Sequence, residues 1–362
     1  MPLTQIRSSQ IDSSAQYIGF KNRIINGDMR IDQRNAGSAI TGNAAYPVDR
    51  FATRMVLTTA VASFQRNSDA PNTSFSNSLR ITATTGGSMA ATDVCSVYHI
   101  VEGYNAADLG FGTATPFQAT ISFWVKATVT GTYAVRIWNS GAARVYLATY
   151  TINASNTWEQ KSITFTPDTS GTWDKTNGHG AAVEFVCATG STGQTATTNS
   201  WFSYSGTNYF GANGAANALA TTGNIFAITG VQLEKGSTAT SFDYRPYGME
   251  LALCQRYYYK YDRGTTNGVY GFGYMPGADT GHISVGFPTV MRTTPSFTSS
   301  AANTFYVQWY GGNTSPTGIS MQIASFTYAS VSTSYASVGV AGTGVKLLDA
   351  SGTSYLAFSA EL

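Results

Sequence analysis

Side-chain alternation with a period of two constrains this chain more than any other feature. Residues 117–126 (FQATISFWVK) alternate apolar and polar positions, and so do residues 133–138, which end at the turn signal Asn139-Ser140-Gly141. The pattern returns at 50–56, 78–83, 144–152, 158–166, 182–187 and 224–229. A strand points successive side chains to opposite faces, so this spacing lays one face on a core and turns the other to water. Many short strands with regular turn signals and almost no helical periodicity predict an antiparallel sandwich or jelly roll.

Composition narrows the possibilities. At 362 residues the chain suits two or three domains. Charged residues make up 11%, against about 25% in an average soluble domain. With 43% hydrophobic residues, 13% aromatics and a net charge of +2, the chain has the core-forming content of a folded protein. Thr, Ser, Asn and Gly supply a neutral, hydroxyl-rich surface. No Lys/Arg cluster marks a nucleic-acid face, and no apolar run reaches the length of a membrane helix. The first residues (MPLTQIR) lack the apolar core of a signal peptide, which suits release by cell lysis. Cys95, Cys187 and Cys254 are far apart and form no CxxC pair. They are expected as small buried apolar groups, with one pairing left open.

Along the chain, residues 1–25 are polar with isolated apolar positions at Ile6, Ile11 and Ile18, and predict an extended arm. Residues 26–245 predict the jelly-roll body, interrupted at 188–223 by a long Gly/Thr/Asn/Ser-rich segment expected as a folded surface loop. The strand at 224–229 is followed by a small-residue turn and a proline-stopped exit at 230–247, which predicts closure of the sandwich. Residues 246–261 are expected as a linker helix, from the spacing of Leu251, Cys254 and Tyr258 after Pro246. Residues 262–362 predict a smaller β-sandwich, with strands at 269–274, 283–287, 305–309, 321–326 and 355–360. Glycines inside such strands call for close approach of another backbone. The fold class expected is all-β: an antiparallel jelly-roll sandwich, a short helix and a second, smaller β-sandwich domain.

Chemistry-bearing motifs are sparse. Glycan hydrolysis needs two carboxylates about 5–10 Å apart. The closest acidic clusters are Asp28/Asp32, Asp168/Asp174 and Asp243/Glu250, and Asp168 and Asp174 lie in a Pro/Gly turn where Asp bonds its own backbone. His99, His179 and His282 are isolated from any nucleophile motif. No catalytic residue, metal site or cofactor is therefore assigned. Binding fits better. Aromatic rings stack on the apolar faces of sugars, and placed polar groups bond the hydroxyls. Trp124 and Trp138, inside alternating strands, are expected in the core. The glycan-binding candidates are Trp173, Trp201 and Tyr204 in the first module and Tyr274, Trp309 and Tyr310 in the second.

Four blocks also carry a resemblance. They are NRIINGDMRIDQR at 22–34 followed by YPVDRF at 46–51, VQLEKGSTATSFDYRPYGMELALCQRYYYKY at 231–261, FPTVMRTTP at 287–295, and YLAFSAEL at 355–362. In this order they resemble bacteriophage tail-fibre and other virion appendage proteins, and the middle resembles carbohydrate-binding jelly rolls through its strand pattern. The resemblance implies a homotrimeric, non-enzymatic subunit of the virion. Its N-terminal arm would dock to other virion proteins and its body would recognise a host cell-surface polysaccharide. Ile6, Ile11, Ile18, Tyr257, Tyr258, Tyr259 and Arg292 are the candidate subunit or virion contacts. A head fibre or decoration protein, or a polysaccharide-depolymerising module, shares the same features. The chain departs from long fibres in having no heptad or collagen-like shaft.

Overall fold

The alternating segments form strands. The computed structural model describes residues 20–204, 209–336 and 339–362, and separates into a first unit that runs to Pro246 and a second from Tyr247 to Glu361.

In the first unit the strands are β1 (Phe51–Val56), β2 (Val61–Asn67), β3 (Ser78–Thr85), β4 (Val94–Glu102), β5 (Ala119–Ala127), β6 (Gly131–Trp138), β7 (Arg144–Ile152), β8 (Glu159–Phe165), β9 (His179–Thr189), β10 (Gln194–Thr195), β11 (Trp201–Ser203), β12 (Gly211–Ala212) and β13 (Ile225–Lys235). Six of them build one sheet in the order β1-β4-β9-β6-β7-β11, and five build another in the order β2-β3-β13-β5-β8. Both sheets are antiparallel throughout, and the short β10–β12 pair is parallel. The inward residues of the two sheets interdigitate: Phe64, Phe123, Phe185 and Phe226 are fully buried in one core. Each such side chain contributes about 1.5–3 kcal/mol by leaving water.

Two boundaries differ from the sequence expectation. Residues 20–25, assigned to the arm, join the sandwich. Ile24 and Ile25 are buried, and Arg23 N–H donates to Leu233 O at 2.8 Å. The closing strand does not stop at Thr229. It passes through a bulge between Thr229 and Gln232 and runs on to Lys235. Gly230 makes this possible. Its φ is +60°, and a Cβ there would sit 2.8 Å from the Phe75 ring, so only glycine fits. The exit beyond β13 is tied down by Glu234, which accepts from Thr240 N–H at 2.9 Å, and by Gln232, whose Oε1 accepts from Asp243 N–H at 2.8 Å.

The second unit opens with a helix, Tyr247–Gln255, shorter than the linker expected over 246–261. Its strands are β14 (Tyr258–Asp262), β15 (Val269–Tyr274), β16 (Thr280–Gly286), β17 (Ser296–Ser299), β18 (Phe305–Trp309), β19 (Gly312–Thr314), β20 (Gly318–Ala324), β21 (Tyr328–Ser334), β22 (Gly344–Asp349) and β23 (Tyr355–Ser359). Tyr258 and Tyr259 thus belong to a strand. The tyrosine run suits a pleated sheet and pairs with β23 in register Tyr258↔Ser359 and Tyr259↔Phe358. A three-stranded sheet, β14-β23-β17, and a seven-stranded sheet, β19-β18-β22-β15-β16-β21-β20, share one core around Ile283, Val285, Phe305, Val307, Val331, Leu347, Leu356 and Phe358. The chain is an all-β protein with antiparallel sandwiches and one helix of more than a turn among the described residues.

Candidate functional site

The seven-stranded sheet of the second unit sends Ile283 and Val285 of β16, Ala329, Val331 and Thr333 of β21, and Val307 of β18 into the core. Their neighbours in sequence point the other way. On that outer face the register aligns Gln308, Lys346, Phe272 and Ser284 in one row across β18, β22, β15 and β16. A second row aligns Gly344, Tyr274 and His282.

The sequence VYGFGY explains the local geometry of β15. Phe272 and Tyr274 stand outward while Gly271 and Gly273 lie where the neighbouring strand approaches. A Cβ on Gly273 would meet the His282 carbonyl oxygen at 1.6 Å, so the close approach expected of an in-strand glycine is present. Tyr270, inward on the same strand, donates to Ser354 O and packs on Phe305 at 5.3 Å. Burial pushes its hydroxyl up to about 12. This anchored strand carries Phe272, 69% exposed, and Tyr274, whose ring meets His282 edge-on at 5.6 Å.

A groove of about 300 Å³ lies at this end of the sheet, lined by Phe272, Gly273, Gln308, Trp309, Tyr310 and the β22 residues Gly344, Val345 and Lys346. Tyr310 is 95% exposed. Trp309 is half-buried and lies parallel to Tyr335, with ring centroids 6.2 Å apart. Lys346 is the one charged residue of the lining, and the sequence from Thr293 to Val345 contains none. The groove therefore offers rings, amide groups and a single ammonium. It can stack an apolar face and bond hydroxyls, and its lining holds no carboxylate to act as acid or base.

Of the sequence candidates, Trp309 and Tyr310 line this groove, and Tyr274 stands two residues beyond Phe272 on β15, outside the lining. Trp173 does not offer a ring to solvent. It is 7% exposed, stacked on Phe111 at 4.2 Å, and its Nε1–H donates to Ser170 O at 2.8 Å. Trp201 is half-buried, edge-on to Trp173 at 5.5 Å, with its Nε1–H on Thr166 O at 2.7 Å. Tyr204, three residues further on, is half-buried and bonds Ala143 O through its backbone at 3.0 Å. Trp173 and Trp201 roof the hydrophobic core of the first unit. Sequence position in a loop gave no sign of that, because the loop folds back onto Phe165 and Tyr146.

The contact candidates are distributed differently. Tyr257 is fully buried and Arg292 bonds the chain's own Ala360 O and Glu361 O at 2.7 and 2.8 Å, so both serve packing within the second unit. Tyr258 and Tyr259 are half-buried on β14. Ile6, Ile11 and Ile18 lie outside the described residues. Phe272, Gln308 and Lys346 were missed by sequence reasoning. The Gly-aromatic alternation of VYGFGY was the available signal for Phe272, whereas Gln308 and Lys346 are recognisable only from the register.

The acidic pair Asp168/Asp174 is engaged structurally. Asp168 is buried and ion-paired with Arg144, and its Oδ1 accepts from Ser170 N–H at 3.0 Å. Asp174 accepts from Thr176 N–H at 2.6 Å and Oγ1–H at 2.9 Å, and these bonds hold its carboxyl below the usual range. A general acid needs the opposite shift. Among the described residues no group of three His, Cys, Asp or Glu is placed to hold a metal ion. Among the described residues the three cysteines are buried and none forms a disulfide, with Cys187 Sγ–H donating to Cys95 O at 3.2 Å.

No family model matches the chain, and no curated protein does. Solved structures with partial likeness include the enzymatically active domain of tailspike protein 4 from bacteriophage CBA120, at 14% identity and a TM-score of 0.34, covering 59% of this chain and 21% of that one. Another is the family 11 carbohydrate-binding module of Clostridium thermocellum in complex with a β-1,3-1,4-mixed-linked tetrasaccharide. It has 14% identity and a TM-score of 0.30, over 57% of this chain and all of that one. A third is the xylanase 10B of Clostridium thermocellum complexed with xylohexaose, at 11% identity and a TM-score of 0.29, over 56% of this chain and 30% of that one. At scores this low the likenesses place the chain in no family.

Proposed function

We propose that this chain is a non-enzymatic, glycan-recognising subunit of a phage appendage, with the groove on the second unit as a sugar-contacting surface. The observation that carries the reading is the exposure of Phe272 and Tyr310 beside Gln308 and Lys346, in a groove whose lining holds a single charged residue and whose β18 side belongs to a run, Thr293 to Val345, without charge. Exposed aromatic rings on a rigid strand lose little entropy on stacking against a sugar, and Gln and Lys supply directional bonds to hydroxyls. Single sites of this kind are weak. A homotrimer would multiply their avidity by about 10²–10⁴, so the reading assigns host attachment to an oligomer whose N-terminal arm, expected over residues 1–25, docks to the particle.

The test is retention of the purified full chain on an array of immobilised bacterial lipopolysaccharides and capsular polysaccharides. The reading expects retention on a subset of them, reduced at least tenfold in a Phe272→Ala/Tyr310→Ala variant. Retention on none, or binding blind to that double substitution, would reject it. Sedimentation of the same sample at micromolar concentration should give three chain masses; a monomer contradicts the trimer. Release of oligosaccharide from a bound polysaccharide would favour a depolymerase.

A further inference from the structure

The outward face of the six-stranded sheet in the first unit carries a charge cluster unrelated to the groove. Glu184 on β9 is fully buried. Arg54 Nε–H of β1 donates to its Oε1 at 2.7 Å, and Arg136 Nη1–H of β6 donates to its Oε2 at 2.9 Å. Ser96 Oγ–H donates to Oε1 at 2.6 Å. Two guanidiniums thus face one carboxylate, which leaves an excess positive charge on a face that is largely removed from water.

Arg136 is 1% exposed, and only its Nη1 is engaged. Among the described residues its Nε and Nη2 have no hydrogen-bond partner. These two nitrogens form one edge of the guanidinium fork. Two residues along the same strand, and on the same face, Trp138 Nε1 is also without a protein partner. Phe210 covers the plane of the guanidinium, with its ring centre 4.6 Å from Cζ, and the Trp138 ring centre is 5.3 Å away. The rings cover the plane of the cation, whereas a fork bonds through its edge.

A buried charged donor without an acceptor is unfavourable, and the Nε/Nη2 edge presents two parallel N–H bonds at the spacing of carboxylate oxygens. We propose that Arg136 is a binding residue for the carboxylate of an acidic sugar, such as a uronic acid, with Trp138 Nε1–H donating to a neighbouring ring oxygen. This rests on the reading of the chain as a glycan binder and adds the chemical class that the first unit would take.

The test uses the full chain with ¹⁵N-labelled arginine and tryptophan side chains, titrated separately with trigalacturonic acid, neutral galactotriose and sodium acetate. Trigalacturonic acid is expected to shift the Arg136 Nε–H and Trp138 Nε1–H resonances. Galactotriose should leave both in place, and acetate should act only at much higher concentration. Arg136→Lys keeps the charge but loses the fork, and should weaken trigalacturonic acid binding at least tenfold. Phe210→Ala leaves the ion pairs intact and uncovers the guanidinium, so it should bind at least as tightly as the parent, which keeps the test decisive if the lysine variant does not fold. Stationary Arg136 and Trp138 resonances in both the parent and Phe210→Ala would overturn the site, as would acetate matching the trisaccharide. Polysaccharide retention on the array alongside such a result would spare the broader reading.

Discussion

The carboxamide of Asn22 clasps the closing strand of the first unit at Leu233: its Oδ1 accepts from Leu233 N–H at 3.1 Å while its Nδ2 donates to Val231 O at 3.0 Å. The same Oδ1 accepts from Ile24 N–H at 2.9 Å. Arg245 completes the joint through the carbonyls of Asn22 and Ile24, and Arg30 returns a bond to Arg245 O at 2.9 Å. Gly27 lies so close to β13 that a Cβ would meet Val231 O at 2.1 Å. The two most distinctive sequence blocks of the first unit, near residues 22–34 and 231–247, are therefore one structural joint.

Replacing Asn22 with Ala strands buried backbone groups on both segments. Each orphaned group costs about 1–3 kcal/mol, so Asn22→Ala is expected to destabilise the first unit by about 2–4 kcal/mol, read as a lower midpoint in chemical denaturation. A midpoint within error of the parent would mean that the joint carries no stability.

Glu184 is predicted to be among the most sensitive positions in the chain. Burial alone would raise its carboxyl, yet Arg54 and Arg136 hold it below the ordinary range. Glu184→Gln leaves two guanidiniums on a covered face with no counter-charge, and breaking a buried pair in this way costs about 3–5 kcal/mol. Thermal unfolding should drop accordingly. An unchanged Tm would show that the cluster is solvated in solution.

Two buried imidazoles set an acid limit. His99 accepts the Ile25 N–H on its Nε2 at 3.2 Å, so that nitrogen is unprotonated, and burial followed by the charge of Arg50 keeps the group well below its usual value. Burial brings His179 down to about 4. The unfolded chain binds these protons near pH 6.5 and the folded one does not, so stability falls as pH drops from about 6.5 toward 4. For His179 the loss across that window is up to about 3 kcal/mol. The carboxylates act lower: Glu159, held near 2, contributes stability that is present above its ordinary value and lost as pH falls toward 2. Denaturation at pH 7 and pH 4.5 should differ markedly in the parent and less in His179→Gln. Equal slopes in the two proteins would contradict the assignment.

How much of this was legible depended on whether a strand keeps one face open. Arg144–Ile152 alternates, and its bounds match the sequence reading. Val94–Glu102 went unread because both its faces are covered: Cys95, Val97 and Val101 look into the main core, while Ser96 and Ile100 sit under the charge cluster and its rings. Such a strand shows no period. Tyr328–Ser334 was missed because, beyond Tyr328, its outward positions are small serines. The helix reading overran into Tyr258 because local spacing carries no information about β23, its partner across the sequence. For the binding candidates, the residue types were readable and the exposure was not. Trp173 and Tyr310 are both aromatics next to glycine-rich turns, and only the packing of Phe111 against one of them tells them apart.

Mapping where a bound oligosaccharide touches the full chain tests the central claim most directly. With a neutral oligosaccharide cut from a polysaccharide that retains the protein, the Trp309 indole N–H and the backbone amides of Phe272, Gln308 and Tyr310 should shift together in a ¹⁵N-correlated titration, and the indole of Trp173 should stay fixed. Saturable binding whose shifts fall elsewhere and leave those four residues still would contradict the account.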